Sequence, residues 1–206
     1  MKTNEELIES MIKNGSLQNP KIIEAFKKID RKYFIPDDLK DLIYIDRPLP
    51  IGEDQTISQP STVAFMLEHL EPKEGDKILD IGSGSGWTTA LLCHIAGESG
   101  SVQGLERVEQ LVKKGKQNLE KFNFNKNCSI QKAGEHLGIP HEKFDKILVS
   151  ASANEIPKEL FSQLKIGGIL VIPVKNSIFR FKKLSDEKVE AKEYPGFVFV
   201  PLITQR

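Results

Sequence analysis

The residues best suited to chemistry in this 206-residue chain form one short run, Asp80-Ile81-Gly82-Ser83-Gly84-Ser85-Gly86. Glycines between a strand and a helix let the backbone turn tightly and approach a ligand closely, while the helix start offers free N–H groups. The spacing is G-x-G-x-G; a dinucleotide-binding loop would carry its third glycine at position 87, where Trp87 stands. No Lys-Ser/Thr pair closes the loop, which excludes a nucleoside-triphosphate loop. An acid two residues before the first glycine repels phosphate and attracts an ammonium group. Twenty residues past Gly86, Glu106 ends the next expected strand and is placed to take both ribose hydroxyls. Acid, glycines and second acid together predict an S-adenosyl-L-methionine site built from Asp80, Gly82, Ser83, Gly84, Gly86 and Glu106. The plainer alternative is a glycine-rich turn in an α/β protein without a nucleotide, against which the position of Glu106 argues.

The elements that must hold these residues follow from periodicity. Leu7, Ile8, Met11 and Ile12 fall at helical spacing before Asn14-Gly15, and a second helix opens after Asn19-Pro20 with Ile22, Ile23, Ala25, Phe26 and Ile29. Arg31 to Gln59 is irregular and rich in Pro and Asp; a span of that length in a compact chain is usually functional or a linker, and here it runs directly into Gln55-Thr56-Ile57-Ser58. Strands are expected at 77–81, 102–106, 129–131, 144–149 and 168–174, with helices from Ser61 to Leu70, Thr89 to Ile95, Val108 to Phe122 and Pro157 to Leu164. That alternation predicts an α/β Rossmann-like fold, a mostly parallel open sheet with helices on both faces. Phe179-Arg180-Phe181 and Phe197-Val198-Phe199-Val200 are expected as antiparallel strands closing the sheet edge. The whole chain, 1–206, is expected as a single domain. Residues 1–60 supply N-terminal helices and an active-site loop, and 61–206 the cofactor-binding core with its C-terminal strands.

Composition narrows the function. Lys plus Arg and Asp plus Glu are both 29, so the net charge is zero, which argues against affinity built on neutralising phosphates and hence against a nucleic-acid partner. No apolar run approaches the ~18–20 residues that span a bilayer, and the first residues lack a secretion signal, so a cytoplasmic monomer is expected. Cys93 and Cys128 are too few for a disulfide scaffold or a thiolate metal site; Cys93 reads as a buried helix residue among Leu91, Leu92 and Ile95. His136 and His141 have no third ligand at metal spacing, so no metal is expected.

Several segments in order, Gln55-Thr56-Ile57-Ser58, the Asp80–Gly86 loop, the run from Ile156 to Gly168, and the ending Phe199-Val200-Pro201-Leu202, resemble the protein-L-isoaspartate (D-aspartate) O-methyltransferase family. Arg31-Lys32-Tyr33-Phe34-Ile35-Pro36 is similar to the family's R-x-x-F-V-P, so the resemblance runs from about residue 5 to the end. It implies methyl transfer from S-adenosyl-L-methionine, leaving S-adenosyl-L-homocysteine, to the free carboxylate of L-isoaspartyl or D-aspartyl residues in damaged proteins and peptides, which initiates repair through a succinimide. It implies further that Ser58 matches an active-site serine that orients the carboxylate, and that Gln55, Thr56, Ile57, Ser58 itself, Gly134 and Glu135 join the cofactor set. An ionised carboxylate and an activated sulfonium need little acid–base help, so catalysis would be mainly positioning. The other reading of Ser58 is an N-cap for the helix near Pro60, a role compatible with the first.

The chain departs from the family pattern at Ala133-Gly134-Glu135-His136-Leu137-Gly138, where the family carries Gly-Asp-Gly-x-x-Gly. The aspartate that would accept from the adenine amino group is here Gly134, with Glu135 one residue out of register. Losing such an acceptor costs about 1–3 kcal/mol. Gln59-Pro60-Ser61 also replaces Ala-Pro-His, Val63 replaces a histidine, and Glu142-Lys143 replaces a small residue and Pro. Two alternatives remain open: a methyltransferase of another substrate such as RNA, and a fold-retaining binding module without turnover, which Gly134 favours.

Overall fold

The computed structural model describes residues 1–124 and 126–203. Helix α1 (Asn4–Lys13) begins where the Thr3 side chain accepts the Glu6 N–H, and α2 (Pro20–Lys28) where Asn19 accepts the Lys21 N–H with Pro20 in the first turn. Their apolar faces, Leu7, Ile8 and Met11 against Ile22, Ala25 and Phe26, are buried. The Arg31–Gln59 span is more ordered than its composition suggests. It holds two 3-10 turns, Arg31–Phe34 and Asp37–Leu42, and a hairpin of β1 (Leu49–Gly52) with β2 (Gln55–Ile57). Helix α3 (Pro60–Leu70) follows at once, and its Glu68 carboxylate accepts the N–H groups of Gln18 and Asn19 (2.7 Å each), tying it to the start of α2.

The alternating part is β3 (Lys77–Ile81), α4 (Trp87–Ala96), β4 (Ser101–Glu106), α5 (Glu109–Leu119), β5 (Cys128–Lys132), β6 (Phe144–Val149), α6 (Glu159–Ser162), β7 (Leu164–Val174), β8 (Ser177–Lys183) and β9 (Val189–Pro195). The seven strands lie in the order β5-β4-β3-β6-β7-β8-β9. The first five in that order run parallel, and β8 and β9 add antiparallel at one edge. Strands β3 and β6 read as near-continuous apolar runs because helices cover both faces of the sheet. The chain moves outward from β3 to β4 to β5 and then returns to place β6 on the other side of β3. The order therefore reverses between β3 and β6, and a crevice opens outside their carboxyl ends.

Three local expectations change. The outermost strand is β9, not Phe197–Val200: after Pro195, Gly196 (φ 98°) turns the chain off the sheet, and residues 197–203 cross toward β6 instead. The polar edge strand Val189-Glu190-Ala191-Lys192-Glu193 has little apolar signal because it is mostly exposed, and its charges shield the sheet edge. Helix α6 is a single turn, and β7 starts at Leu164, four residues earlier than expected. Finally Cys93 is buried as expected but is bonded to Cys128, joining α4 to β5 with Cα atoms 5.9 Å apart.

Candidate functional site

In the sheet register Ile81 lies level with Leu105 on one side and Val149 on the other, so the turns that leave β3, β4 and β6 open into one crevice. The turn after β3 is tight. The N–H groups of Gly82 and Ser83 both donate to the Leu105 carbonyl (2.8 and 3.0 Å), and the Gly86 N–H donates to the Ser83 carbonyl (2.8 Å). Gly82, Gly84 and Gly86 have φ of 83°, 53° and 90°, the left-handed region that side chains disfavour. A Cβ on Gly86 would also lie 3.0 Å from Ile130 Cδ1 and 3.2 Å from the Gly115 carbonyl oxygen. The glycines thus let α4 start immediately and lean against α5.

The two acids occupy different places. Glu106, almost fully buried at the end of β4, accepts the Gly84 N–H on Oε2 and the Val108 N–H on Oε1, both at 2.9 Å. The two bonds hold its carboxylate against the crevice wall, and each oxygen keeps a second lone pair. Asp80 lies beneath the glycine turn with no exposed surface. Its Oδ2 accepts the Thr89 hydroxyl (2.6 Å), while Oδ1 has no partner. Burial pushes this carboxyl up to about 7, the Thr89 bond works against that, and the Glu106 charge adds to it. The Ser83 hydroxyl is also buried without a partner.

The crevice is lined by Gln55, Thr56, Gly82, Gly84, Glu106, Gly134 and Glu135 from the expected set. Ile57, Ser58, Asp80, Ser83 and Gly86 stand behind or beside that wall. Sequence reasoning missed the rest of it: Leu105 in β4 and Arg107 just after it, Ala133 and His136 to Gly138 on either side of the Gly134-Glu135 pair, Ser150 and Ala151 at the end of β6, and Val200 to Ile203. The available signal was topological, since every parallel strand beside the reversal point delivers its carboxyl end to the same crevice. The tail is fastened there by the Ser152 N–H donating to Val200 O (2.8 Å) and the Leu202 N–H donating to Ser152 O (2.7 Å). Buried Gln163 holds the turn beyond Gly134, accepting the Ile139 N–H (2.7 Å) and donating to Leu137 O (2.9 Å). Around Gly134 itself there is open space within 4 Å of where a Cβ would be.

Ser58 follows β2 directly and is half-buried. The expected capping role is not taken up. Gln59 occupies the N-cap of α3 without a side-chain bond, and the Ser61 N–H is satisfied by Asp46 Oδ1 at 2.9 Å. Among the described residues the Ser58 hydroxyl makes no hydrogen bond, while its carbonyl accepts from Arg31 Nη2 at 3.0 Å.

A crevice at the reversal point, floored by a glycine turn and walled by the acid that ends β4, is compatible with many methyltransferases. The decision comes from the whole chain: a family model described as protein-L-isoaspartate (D-aspartate) O-methyltransferase matches residues 2–206. The chain belongs to this family. A protein-L-isoaspartate O-methyltransferase of Ignicoccus hospitalis is 37% identical over 205 residues, covering 97% of each chain. One from Fervidobacterium nodosum is 42% identical over 185 residues, covering 88% of this chain and 93% of the relative. A Plasmodium falciparum crystal structure, described as a protein-L-isoaspartate O-methyltransferase in complex with S-adenosyl-L-homocysteine, superposes with a TM-score of 0.88 at 26% identity, covering 99% of this chain and all of that one. The likeness runs along nearly the whole chain, the N-terminal helices included. Among the described residues no helix is long and apolar enough to cross a membrane, and no three His, Cys, Asp or Glu side chains converge as metal ligands would.

Proposed function

We infer that this chain is a protein-L-isoaspartate O-methyltransferase that binds S-adenosyl-L-methionine in the crevice beyond β3 and β4 and methylates the free carboxylate of isoaspartyl residues in proteins and peptides. The observation that carries the siting of the cofactor is Glu106, held by two backbone N–H groups with its remaining lone pairs available to a pair of ribose hydroxyls. The residues fit the group in other respects. The glycine turn brings bare backbone to the crevice, Asp80 keeps an unpartnered buried oxygen under that turn, and the space at Gly134 is open. When bound, S-adenosyl-L-methionine supplies an activated methyl group on a positively charged sulfur.

The chain's own work is orientation and exclusion of water. Ser58, with its hydroxyl uncommitted, donates to the substrate carboxylate and aligns one oxygen for attack, and the carboxylate needs no base because it is ionised at neutral pH. Gln55 and Thr56, which precede Ser58 in the chain, line the crevice together with Val200 to Ile203. Asp80 biases the turn electrostatically from below, without touching the crevice wall. Glu135 stands beside Gly134 as the acid available to an adenine amino group.

The finer assignments belong to the same reading. The partners are isoaspartyl proteins and peptides, a zero net charge supports a protein and not a nucleic-acid substrate, the enzyme works as a monomer, and it acts in the cytoplasm beside the ageing proteins it methylates. Transfer of tritiated methyl from labelled cofactor is expected to an isoaspartyl peptide and not to its L-aspartyl counterpart. Ser58→Ala is expected to lower kcat about tenfold to a hundredfold, the value of one lost hydrogen bond to a charged group. Equal labelling of both peptides, or none, overturns the substrate assignment.

A further inference from the structure

Among the described residues, Arg31 is the largest side chain with no exposed surface, and no carboxylate forms an ion pair with it. Its guanidinium donates to four backbone carbonyls. Nη1 reaches Ile43 O (2.9 Å) and Ile45 O (3.2 Å), and Nη2 reaches Arg47 O and Ser58 O (both 3.0 Å). Beneath the guanidinium lies the Trp87 ring, its centroid 5.3 Å from Cζ, and Trp87 Nε1 in turn donates to Ile29 O at 3.2 Å. Trp87 is the first residue of α4, next to Gly86 of the cofactor turn.

A buried guanidinium is costly, and this one is held down to about 10 by burial, with the nearby Asp46 charge partly opposing the shift; it stays protonated at neutral pH. A fold that needed only to fill this space would hold an apolar side chain more cheaply. What only a planar, five-donor cation supplies is a rigid fork that satisfies carbonyls from two stretches of irregular chain at once. Those stretches are the 43–47 loop and Ser58, and the ring on which the fork rests belongs to the cofactor helix.

We propose that Arg31 is a positioning residue for methyl transfer: by clamping the Ser58 carbonyl to the Trp87 platform, it fixes the Ser58 hydroxyl relative to the glycine turn and the methyl donor. The proposal rests on the role given above to Ser58. Lysine can keep the charge and one or two of the bonds but not the fork, so Arg31→Lys leaves the Ser58 backbone free to shift. Misplacement of a reacting group by about 1 Å is enough for a loss of about a hundredfold in rate.

The test is a double-mutant cycle on the full chain, with the active fraction of every variant fixed by the calorimetric stoichiometry of S-adenosyl-L-homocysteine. Arg31→Lys is expected to bind that product within about threefold of the parent, since it touches nothing on the crevice wall, and to lose about a hundredfold in kcat toward an isoaspartyl peptide. In the Ser58→Ala background the same change is expected to cost less than about threefold, because the hydroxyl it positions is gone. Losses that multiply in the double variant, or an Arg31→Lys kcat within about threefold of the parent, overturn the proposal. Full activity in Ser58→Ala alone overturns the reading of Ser58 and this proposal with it, whereas a true Ser58→Ala loss that multiplies with the Arg31 loss sinks only this one. Should Arg31→Lys not fold, Trp87→Phe, which shrinks the platform and keeps all four carbonyl bonds, is read in the same cycle. It is expected to lower kcat about threefold to tenfold without adding to Ser58→Ala, and an additive loss overturns the proposal.

Discussion

Replacing Asp80 by Asn isolates the energetics beneath the glycine turn. In the folded chain the Asp80 carboxyl holds its proton up to about pH 7 because burial removes the solvent that would stabilise its charge. In the unfolded chain it ionises at its ordinary value of 3.8. As pH rises past that value the unfolded state gives up its proton first. This contribution to stability is therefore fully present below about pH 4, falls by about 1.4 kcal/mol per pH unit, and levels off above about pH 7. The gap of roughly three pKa units amounts to something on the order of 4 kcal/mol, undiluted by solvent because the group is fully buried. Asp80→Asn keeps an oxygen able to accept from the Thr89 hydroxyl but does not titrate. Its amide nitrogen falls where Oδ1 has no partner, a pH-independent cost of about 1–3 kcal/mol. The shape of the difference is thus the expectation, not its level. From about pH 4 to pH 8 the stability of the variant minus that of the parent, from urea unfolding with unchanged m-values, should climb by on the order of 4 kcal/mol. A difference constant to within about 0.5 kcal/mol over that range would falsify the account of Asp80 as a carboxyl raised by burial.

Two further outcomes follow from the same geometry. Gly134→Asp, whose Cβ meets nothing within 4 Å and whose backbone is not left-handed, is expected to fold normally and to tighten S-adenosyl-L-homocysteine binding about tenfold to a hundredfold by calorimetry; unchanged affinity means that Glu135 or the backbone already serves the adenine edge. Reduction of the Cys93–Cys128 bond, which closes a 35-residue separation, is expected to lower unfolding free energy by about 3–4 kcal/mol, and titration of the native chain should find no free thiol before reductant is added.

Much of the β3–α4–β4 unit is legible in the sequence because its signals are local. The three glycines of the turn, the acid before them and Glu106 sit within one strand-helix-strand unit, where spacing along the chain translates directly into distance in space. The parallel sheet was readable for a similar reason: β3, β6 and β7 are buried on both faces, so their apolar runs stand out. The edge strand β9 is not legible because exposed edge residues carry no such pattern, and the aromatic run at Phe197–Val200 mimics a sheet strand in its stead. Ser58 enters the candidate site only by resemblance. A serine before Gln59-Pro60 reads equally well as a cap, and the preference between the two roles depends on Asp46, fifteen residues before Ser61, having already satisfied the helix end.

Composition, periodicity and one glycine motif were sufficient to determine an α/β methyltransferase architecture, the cofactor class and the acid that ends β4, since each depends on neighbours along the chain. Only the tertiary structure decided that Asp80 turns down toward Thr89 while Glu106 faces the crevice, that Cys93 meets Cys128, that the tail seals the site, and that Arg31 reaches four carbonyls and an indole ring. Those outcomes join segments tens of residues apart, where burial and hydrogen-bond satisfaction across the packed core, and not the order of residues, select the partner.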